Sequence, residues 1–384
     1  MNLDLTEDQK QIRQAVRELC RGEFAAQAEH WDREAHIPDS AIAKLAEMGL
    51  LGMAFPEEWG GVGYDLRTIS GVIEEISQVS ASLAILIAVH NSVGGYPIYR
   101  FGTEDQKKRF LPRLSTREIG AFSLSEPGAG SDTMGLEATA VKHGDDWVLN
   151  GTKNWVTNGK RAWTTLVFAR TAPREAGSKA ISCFIVERGM PGLFIGKSED
   201  KMGLRGSDTV TLSLEDLRVP ADHLLGEEGD GLKIALGSLE SGRVIVASQA
   251  LGIAVAAFHE AVRYAQQRQA FGGPIAKIQA VQFKLAEMER RIQAARLLIQ
   301  RAAWLKDTDQ PCRREAAMAK LYATEAAAWV THQAIQVHGG YGYVKEYAVE
   351  RYYRDARVTE IYEGTSEIQR LVIARGLLAD GLSV

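Results

Sequence analysis

The sequence predicts an α+β protein built from three consecutive units: a helical N-terminal domain over residues 1–118, a compact β domain over 119–227, and a second helical domain over 228–384. Three observations predict it. Apolar residues recur at helical spacing in the first unit, as in Ile12, Val16 and Leu19 and again in Ile69, Val72, Ile73, Ile76 and Val79. From about residue 119 the apolar period shifts to two. Beyond 228, long stretches rich in Ala, Leu, Glu and Arg return, and two of them, Ile278–Asp307 and Glu315–His338, exceed an average helix and read as members of a bundle.

In chain order, the acidic segment Met1-Asn2-Leu3-Asp4-Leu5-Thr6-Glu7-Asp8-Gln9 reads as a helix start, not a secretory signal or an Arg-rich transit peptide. Pro56 with Gly60, Gly61 and Gly63 marks a loop between helices. Thr103-Glu104-Asp105-Gln106 has the form of a capping box. In the β unit, Asn150-Gly151 is a hairpin signal, and strands are expected at Thr165–Ala169, Ile181–Val186, Gly192–Ile195 and Val210–Leu214, with Pro220 closing the region. Glu240 and Arg243 are expected at the start of a helix, and Arg268, Phe271 and Gln279 inside the bundle. No internal repeat or low-complexity linker interrupts the chain.

Composition narrows the function. The 384 residues carry a net charge of -4 and no long basic run, which argues against a nucleic-acid partner. Cys20, Cys183 and Cys312 are scattered and form neither a CxxC pair nor a disulfide framework. The eight histidines show no HxH or HExxH spacing, so no metal site is expected. No apolar run is read as approaching the roughly 18 residues of a membrane span. A reducing compartment fits, most simply the cytoplasm of a bacterium; a mature mitochondrial matrix form fits as well.

The most informative segment is Ile361-Tyr362-Glu363-Gly364-Thr365-Ser366-Glu367-Ile368-Gln369-Arg370. Ser366 and Gln369 have capping-box spacing, so a helix is expected to start just after Glu363. A carboxylate in an apolar setting beside outward-pointing helix amides can act as a base next to a polarised carbonyl. The plain alternative is a solvated glutamate before a helix. The loop Ser125 to Ser131 is rich in glycine and hydroxyls, but it lacks the Lys-Ser/Thr of a P-loop, and no GxGxxG follows a strand. On its own it reads as a turn. Trp155 on its own reads as core, and Arg268 as part of a solvated helix face.

Ala121-Phe122-Ser123-Leu124-Ser125-Glu126-Pro127-Gly128-Ala129-Gly130-Ser131-Asp132, followed by Lys153-Asn154-Trp155-Val156-Thr157-Asn158-Gly159 and the Tyr362-Glu363-Gly364-Thr365 element, resembles the acyl-CoA dehydrogenase family. The likeness runs from Leu5 to nearly the last residue and includes Pro56-Glu57-Glu58-Trp59-Gly60-Gly61, Arg268 to Gly272, and Gln336-Val337-His338-Gly339-Gly340. Ser248-Gln249-Ala250-Leu251-Gly252-Ile253-Ala254 and Tyr353-Arg354-Asp355-Ala356-Arg357 place it nearest the short-chain (butyryl-CoA) branch. The resemblance implies a middle β-barrel, a C-terminal four-helix bundle, FAD as cofactor, an acyl-CoA substrate, electron-transfer flavoprotein as electron acceptor and a homotetramer.

It also implies roles. Phe122, Leu124 and Ser125 line the flavin edge, with Trp155, Val156 and Thr157 over its face. Ser131 lies near cofactor and acyl-CoA phosphates. Arg268, Phe271, Gln279, Gln336, Val337, Gly339 and Gly340 hold the FAD of a neighbouring subunit, and Thr365 and Glu367 complete the cofactor set. Glu240, Arg243 and Gly364 contact substrate. His338 stands where relatives often have an apolar residue and is given no role. Glu363 is the base that removes the pro-R α-proton while the β-hydride moves to flavin, yielding a trans-2-enoyl-CoA. The isovaleryl branch takes its base from the position of Gly242, which here has no side chain. Acyl length depends on residues 83–94, such as Leu86 and Val89. A branched-chain dehydrogenase, an acyl-CoA oxidase and a non-catalytic helical binding protein are the alternatives.

Overall fold

The structure, a computed structural model, describes residues 4–380. Met1, Asn2 and Leu3, part of the acidic N-terminal segment, lie outside the described residues. Seven helices come first: α1 (Glu7–Leu19), α2 (Ala28–Arg33), α3 (Asp39–Glu47), α4 (Leu66–Val79), α5 (Ala81–Val89), α6 (Tyr96–Phe101) and α7 (Glu104–Thr116). Reciprocal capping boxes start α1, through Thr6 and Gln9, and α7, through Thr103 and Gln106, each satisfying two amides that a helix start leaves unpaired.

The β unit comprises β1 (Gly120–Ser123), β2 (Thr139–His143), β3 (Asp146–Thr157), β4 (Thr164–Arg170), β5 (Ile181–Glu187), β6 (Leu193–Ser198), β7 (Thr209–Pro220) and β8 (Leu224–Leu225). They form one sheet in the order β6-β7-β3-β2-β4-β5-β8, with β1 parallel to β4. The β2 to β4 seam is a single pair, Thr139 with Arg170. Side chains from both sides of that seam, Trp147, Leu149, Leu217 and Val219 from one and Val167, Phe184 and Val186 from the other, fill one interior core.

The hairpin expected at Asn150-Gly151 is not there. Both residues lie inside the twelve-residue strand β3, and the turn falls at Gly144 and Asp145 instead. Gly151 marks a register shift against β7, where a Cβ would come 2.7 Å from that of Ala138. Asn150 exchanges hydrogen bonds with Asp216 across the strands. The glycine serves close approach at a bulge, which has the same composition as a tight turn.

The chain then enters α8 (Gly231–Gln267), a short hairpin of β9 (Gln269–Ala270) and β10 (Gly273–Pro274), α9 (Gln279–Asp307), α10 (Arg313–His338), α11 (Val349–Arg357) and α12 (Ser366–Asp380). One hydrophobic core runs through both helical regions, joining Ile69, Val72, Ile76 and Leu86 to Val244, Leu251, Ile292 and Val330. Two helical segments, 81–101 and 231–267, have the length and hydropathy of a membrane span, contrary to the sequence expectation. Their apolar windows are 94% and 83% buried inside the fold, so that surface faces protein.

Several contacts set the β unit against the helices. After α5, one wide turn over His90–Gly94 brings Gly94 against Gly120 of β1, where a Cβ on either would lie under 3 Å from the other's backbone. Buried His90 accepts the Gly120 amide at Nδ1 (2.9 Å), and Asn158 donates to the Leu86 carbonyl (2.9 Å). Arg354 pairs with Asp32 and Glu350, while buried Asp355 accepts the Leu204 amide (2.6 Å), tying the loop between β6 and β7 to α2 and α11.

Candidate active site

Glu363 sits in the turn between α11 and α12. It and Gly364 both adopt left-handed backbone, with φ of 52° and 94°. For a glutamate this costs about 1–2 kcal/mol and persists only where neighbours hold it. The Gln369 amide donates to the Glu363 carbonyl (3.3 Å) and the Gly364 carbonyl (2.7 Å), and Lys320 Nζ donates to the latter (2.9 Å). Helix α12 does start just beyond the glutamate, but through Thr365, whose hydroxyl accepts the Ile368 amide (3.3 Å). Ser366 is not the cap, and Gln369 serves the turn, because the left-handed pair leaves two carbonyls in need of donors. Upstream, the Tyr362 hydroxyl bonds Gln249, which bonds the Ala81 carbonyl at the start of α5.

The residue Glu363 is only partly covered, yet its Oε2 is shielded from solvent and has no hydrogen-bond partner. Burial pushes the carboxyl up to about 7, against the opposing charges of Lys320 and Arg243. A Cβ at position 242 would stand 2.2 Å from that Oε2, so Glu363 reaches this place only because residue 242 is glycine. Arg243 is buried, its Nε has no partner, and burial followed by Arg313 lowers its pKa while Glu363 and Glu240 oppose. Glu240 pairs with Lys306 at 3.7 Å. Glu240 and Arg243 lie more than two turns into α8, not at its start, because that helix begins at Gly231. The structure thus brings Gly242 and Arg243 of α8 beside the turn of Glu363, Gly364 and Thr365, with Glu240 on the preceding part of the same helix, paired with Lys306. Glu367 is exposed on the first turn of α12.

A second group forms at β1 and β3. Phe122 packs on Phe168 with ring centroids 4.8 Å apart, Leu124 is buried, and the Ser125 carbonyl accepts the Asn154 amide (2.9 Å). Glu126 anchors the glycine-rich loop. Its carboxylate accepts the Glu137 amide (2.6 Å), the Ala138 amide (3.1 Å) and the fully buried Lys153 ammonium (2.6 Å). Gly128 and Gly130 have open space where a Cβ would sit, and Ser131 is exposed. Trp155 lies within β3 rather than after a hairpin. Its φ of 61° turns the ring outward, leaving it 62% exposed instead of in the core, while Val156 is buried and Thr157 half-buried.

The third group lies at the other end of α8 and α10. Arg268 caps α8 and stacks over Tyr341 (5.5 Å), beside exposed Gln336, Gly339 and Gly340 and buried Val337. Phe271 and Gln279 lie in the C-terminal helical unit, on its surface. Phe271 occupies the left-handed tip of the β9–β10 hairpin, 97% exposed, and Gln279 is the exposed first residue of α9. His338 is packed, stacked on Tyr264 at 4.2 Å and bonded to the Ala334 carbonyl. Among the described residues no cluster suits a metal ion.

Sequence reading missed Lys320 and the Lys153–Glu126 pair, and gave Gln369 to a helix cap. Lys320 had a signal. It falls on the stripe Ala316, Ala319, Ala323 and Ala327, where helical spacing puts a lone cation among buried alanines.

Comparison with known proteins identifies the family. The chain matches "Acyl-CoA dehydrogenase, N-terminal domain" over residues 6–118, "middle domain" over 121–217 and "C-terminal domain" over 229–378. It is 50% identical over 378 residues to the mitochondrial short-chain specific acyl-CoA dehydrogenase of Mus musculus, covering 98% of this chain and 92% of that one. Butyryl-CoA dehydrogenase from Megasphaera elsdenii superposes with a TM-score of 0.96 at 42% identity, covering 98% of this chain and all of its own. A chain from structural work on the electron transferring flavoprotein of Acidaminococcus fermentans superposes with a TM-score of 0.96 at 44% identity, covering 98% of this chain and 100% of that one. With matches over all three units and half of its residues identical to a relative of nearly equal length, the chain belongs to the acyl-CoA dehydrogenase family and is an oxidoreductase of that flavoprotein class.

Proposed function

We propose that this chain is an FAD-dependent dehydrogenase of short straight-chain acyl-CoA thioesters, with Glu363 as the base and electron-transfer flavoprotein as acceptor. The observation that carries the reading is the shielded, unpartnered Oε2 of Glu363 opposite Gly242. A carboxyl raised to about 7 is half ionised near neutral pH and basic enough to take a proton there. The residues fit the cofactor. Gly128, Gly130, Gly339 and Gly340 leave open space at the loop and at the end of α10, and the Trp155 ring is uncovered. FAD, when bound, supplies the acceptor for the hydride leaving the β carbon. Phe122, Leu124, Ser125, Ser131, Val156 and Thr157 would hold it on one side, with Thr365 and Glu367 completing the site. Glu363 takes the α proton, and its main-chain N–H donates to the thioester oxygen where negative charge develops. Arg243 and Glu240 hold the CoA portion, and Gly364 gives the thioester room.

The short-chain preference rests on the wall behind the base. Helix α5 is buried along its whole length, including Leu86 and Val89, and Gln249 ties it to Tyr362. A kcat/KM series from C4 to C12, with branched thioesters included, should peak at butanoyl-CoA. Faster turnover of dodecanoyl-CoA would overturn the preference. Electron-transfer flavoprotein should reoxidise the enzyme much faster than oxygen does; the reverse order would identify an oxidase.

We further propose a homotetramer. Arg243 and Arg268 are twenty-five residues apart on one helix, about 37 Å at 1.5 Å per residue. The Arg268, Phe271, Gln279, Gln336, Val337, Gly339 and Gly340 group lies at the far end of that helix from the base, and we assign it to a cofactor whose flavin lies in a neighbouring copy. Sedimentation should give a tetramer that retains FAD; a stable FAD-loaded monomer would exclude this arrangement. The three buried, unpaired cysteines suit a reducing compartment, the bacterial cytoplasm or a mitochondrial matrix.

A further inference from the structure

Lys320 is fully buried on α10, a rare place for a lysine, and touches the turn that carries the base. Its Nζ donates to the Gly364 carbonyl at 2.9 Å, the oxygen also held by Gln369 at 2.7 Å. That carbonyl follows two consecutive left-handed residues, so the bond fixes the strained part of the turn. Arg243 is the second cation in this region, but its Nε has no partner.

We propose that Lys320 is the positioning residue for the base: its ammonium pins the Glu363–Gly364 turn through the Gly364 carbonyl and supplies the positive charge that lets a carboxylate exist in that buried place. This rests on the reading of Glu363 as the base. The bond to the Gly364 carbonyl needs only a neutral donor, whereas a group that gives Glu363 Oε2 no hydrogen bond can stabilise its anion only through charge.

The electrostatics agree with the geometry. Burial lowers the Lys320 ammonium to about 8, with Glu363 the foremost charge opposing that fall, Arg243 adding to it, and Glu360 and Glu367 opposing it further out. Burial raises Glu363, and Lys320 precedes Arg243 among the charges restraining that rise. Between about 7 and about 8, therefore, the pair holds one negative and one positive charge. The sign follows directly. Without the Lys320 charge the Glu363 carboxyl rises further, the base is protonated at neutral pH, and its activity returns only in more alkaline solution.

The experiment compares the flavin-loaded enzyme with Lys320→Gln and Lys320→Met, measuring anaerobic flavin reduction by substrate from pH 5.5 to 9.5. Glutamine keeps a donor without charge; methionine keeps the stem with neither. Both should move the midpoint of the pH profile upward by about one pH unit or more. Rates at pH 6 should fall about tenfold for each pH unit the midpoint moves, and converge on the unmutated plateau near pH 9. The infrared band of the protonated Glu363 carboxyl, identified by its absence in Glu363→Gln, should titrate with the same displacement without turnover. If Lys320→Gln titrates like the unmutated protein, or Lys320→Met loses rate equally at every pH, the charge has no part and the inference falls. The two readings separate cleanly. Should Glu363→Gln reduce flavin at full rate, the assignment of the base is wrong. Should Glu363→Gln be inert while Lys320→Gln leaves the midpoint in place, the base stands and only Lys320 is misassigned.

Discussion

Glu363→Gln is expected to retain FAD and bind acyl-CoA while losing flavin reduction by about 100- to 10,000-fold, the range typical of removing a general base. The amide has nearly the shape of the carboxyl, and the hydrogen bonds that hold the turn come from Lys320, Gln369 and Thr365 to main-chain atoms or from the cap, none of which uses the Glu363 side chain. Substrate affinity should therefore change little, and the loss should appear in the chemical step, as it does when an interaction made only in the transition state is removed. In the unmutated enzyme the rate should rise with pH through about 7, because the raised carboxyl becomes a base only on ionising. The measurement is anaerobic stopped-flow bleaching of oxidised FAD; bleaching at the unmutated rate would rule Glu363 out. Moving the base to position 242 requires care. A Cβ there meets the end of the residue 363 side chain, so Gly242→Glu needs Glu363→Gly beside it, not glutamine.

Much of this site was legible in the sequence for a physical reason. The segment around Glu363 was legible because an aromatic, a glycine and the helix start behind it are local features, although Ile361 is itself 49% exposed. Gly242 is also local information, since an absent side chain leaves room for one from elsewhere. The order of helical and strand segments was legible because hydrophobic period is a local property. What escaped depended on partners distant in sequence. Gln369 and Ser366 have the spacing of a cap, but two left-handed residues upstream redirect Gln369 to their carbonyls and leave capping to Thr365. Asn150-Gly151 has the composition of a turn, but whether such a pair bends the chain or lets a neighbouring strand come close depends on Ala138 and Asp216. Trp155 has the composition of core, and only its left-handed backbone turns it to the surface. The two apolar helical segments were underestimated because polar residues interrupt them, His90, Asn91 and Ser92 in the first and Lys233, Glu240 and Arg243 in the second, while their apolar windows are 94% and 83% buried.

Glu126→Ala should be the most damaging substitution outside the base's own turn. Glu126 and Lys153 are both buried and 2.6 Å apart, and the same carboxylate accepts two main-chain amides, from Glu137 and Ala138. Alanine leaves the Lys153 ammonium without its anion and two amides without an acceptor. Breaking such a pair from one side costs about 3–5 kcal/mol, whereas replacing both partners by apolar groups is often near neutral. Glu126→Ala with Lys153→Met should therefore recover part of the stability that Glu126→Ala loses, the rest reflecting the amides. The pH dependence has a definite sign. Burial already lowers Lys153, with Glu126 opposing, so removing Glu126 lowers it further. The cost of the charged lysine is then fully present below its lowered folded-state pKa and shrinks as pH rises from there toward its unfolded value of about 10.4. Thermal melting of the FAD-loaded enzyme at pH 7 and pH 9, with the flavin retained after gel filtration, measures both effects. The loop from Ser125 to Ser131 hangs on this carboxylate, so flavin retention should fall with stability and return with the double substitution. A Glu126→Ala protein melting within about one degree of the unmutated enzyme, well short of the several degrees such a loss implies, would show that the pair does not hold the loop.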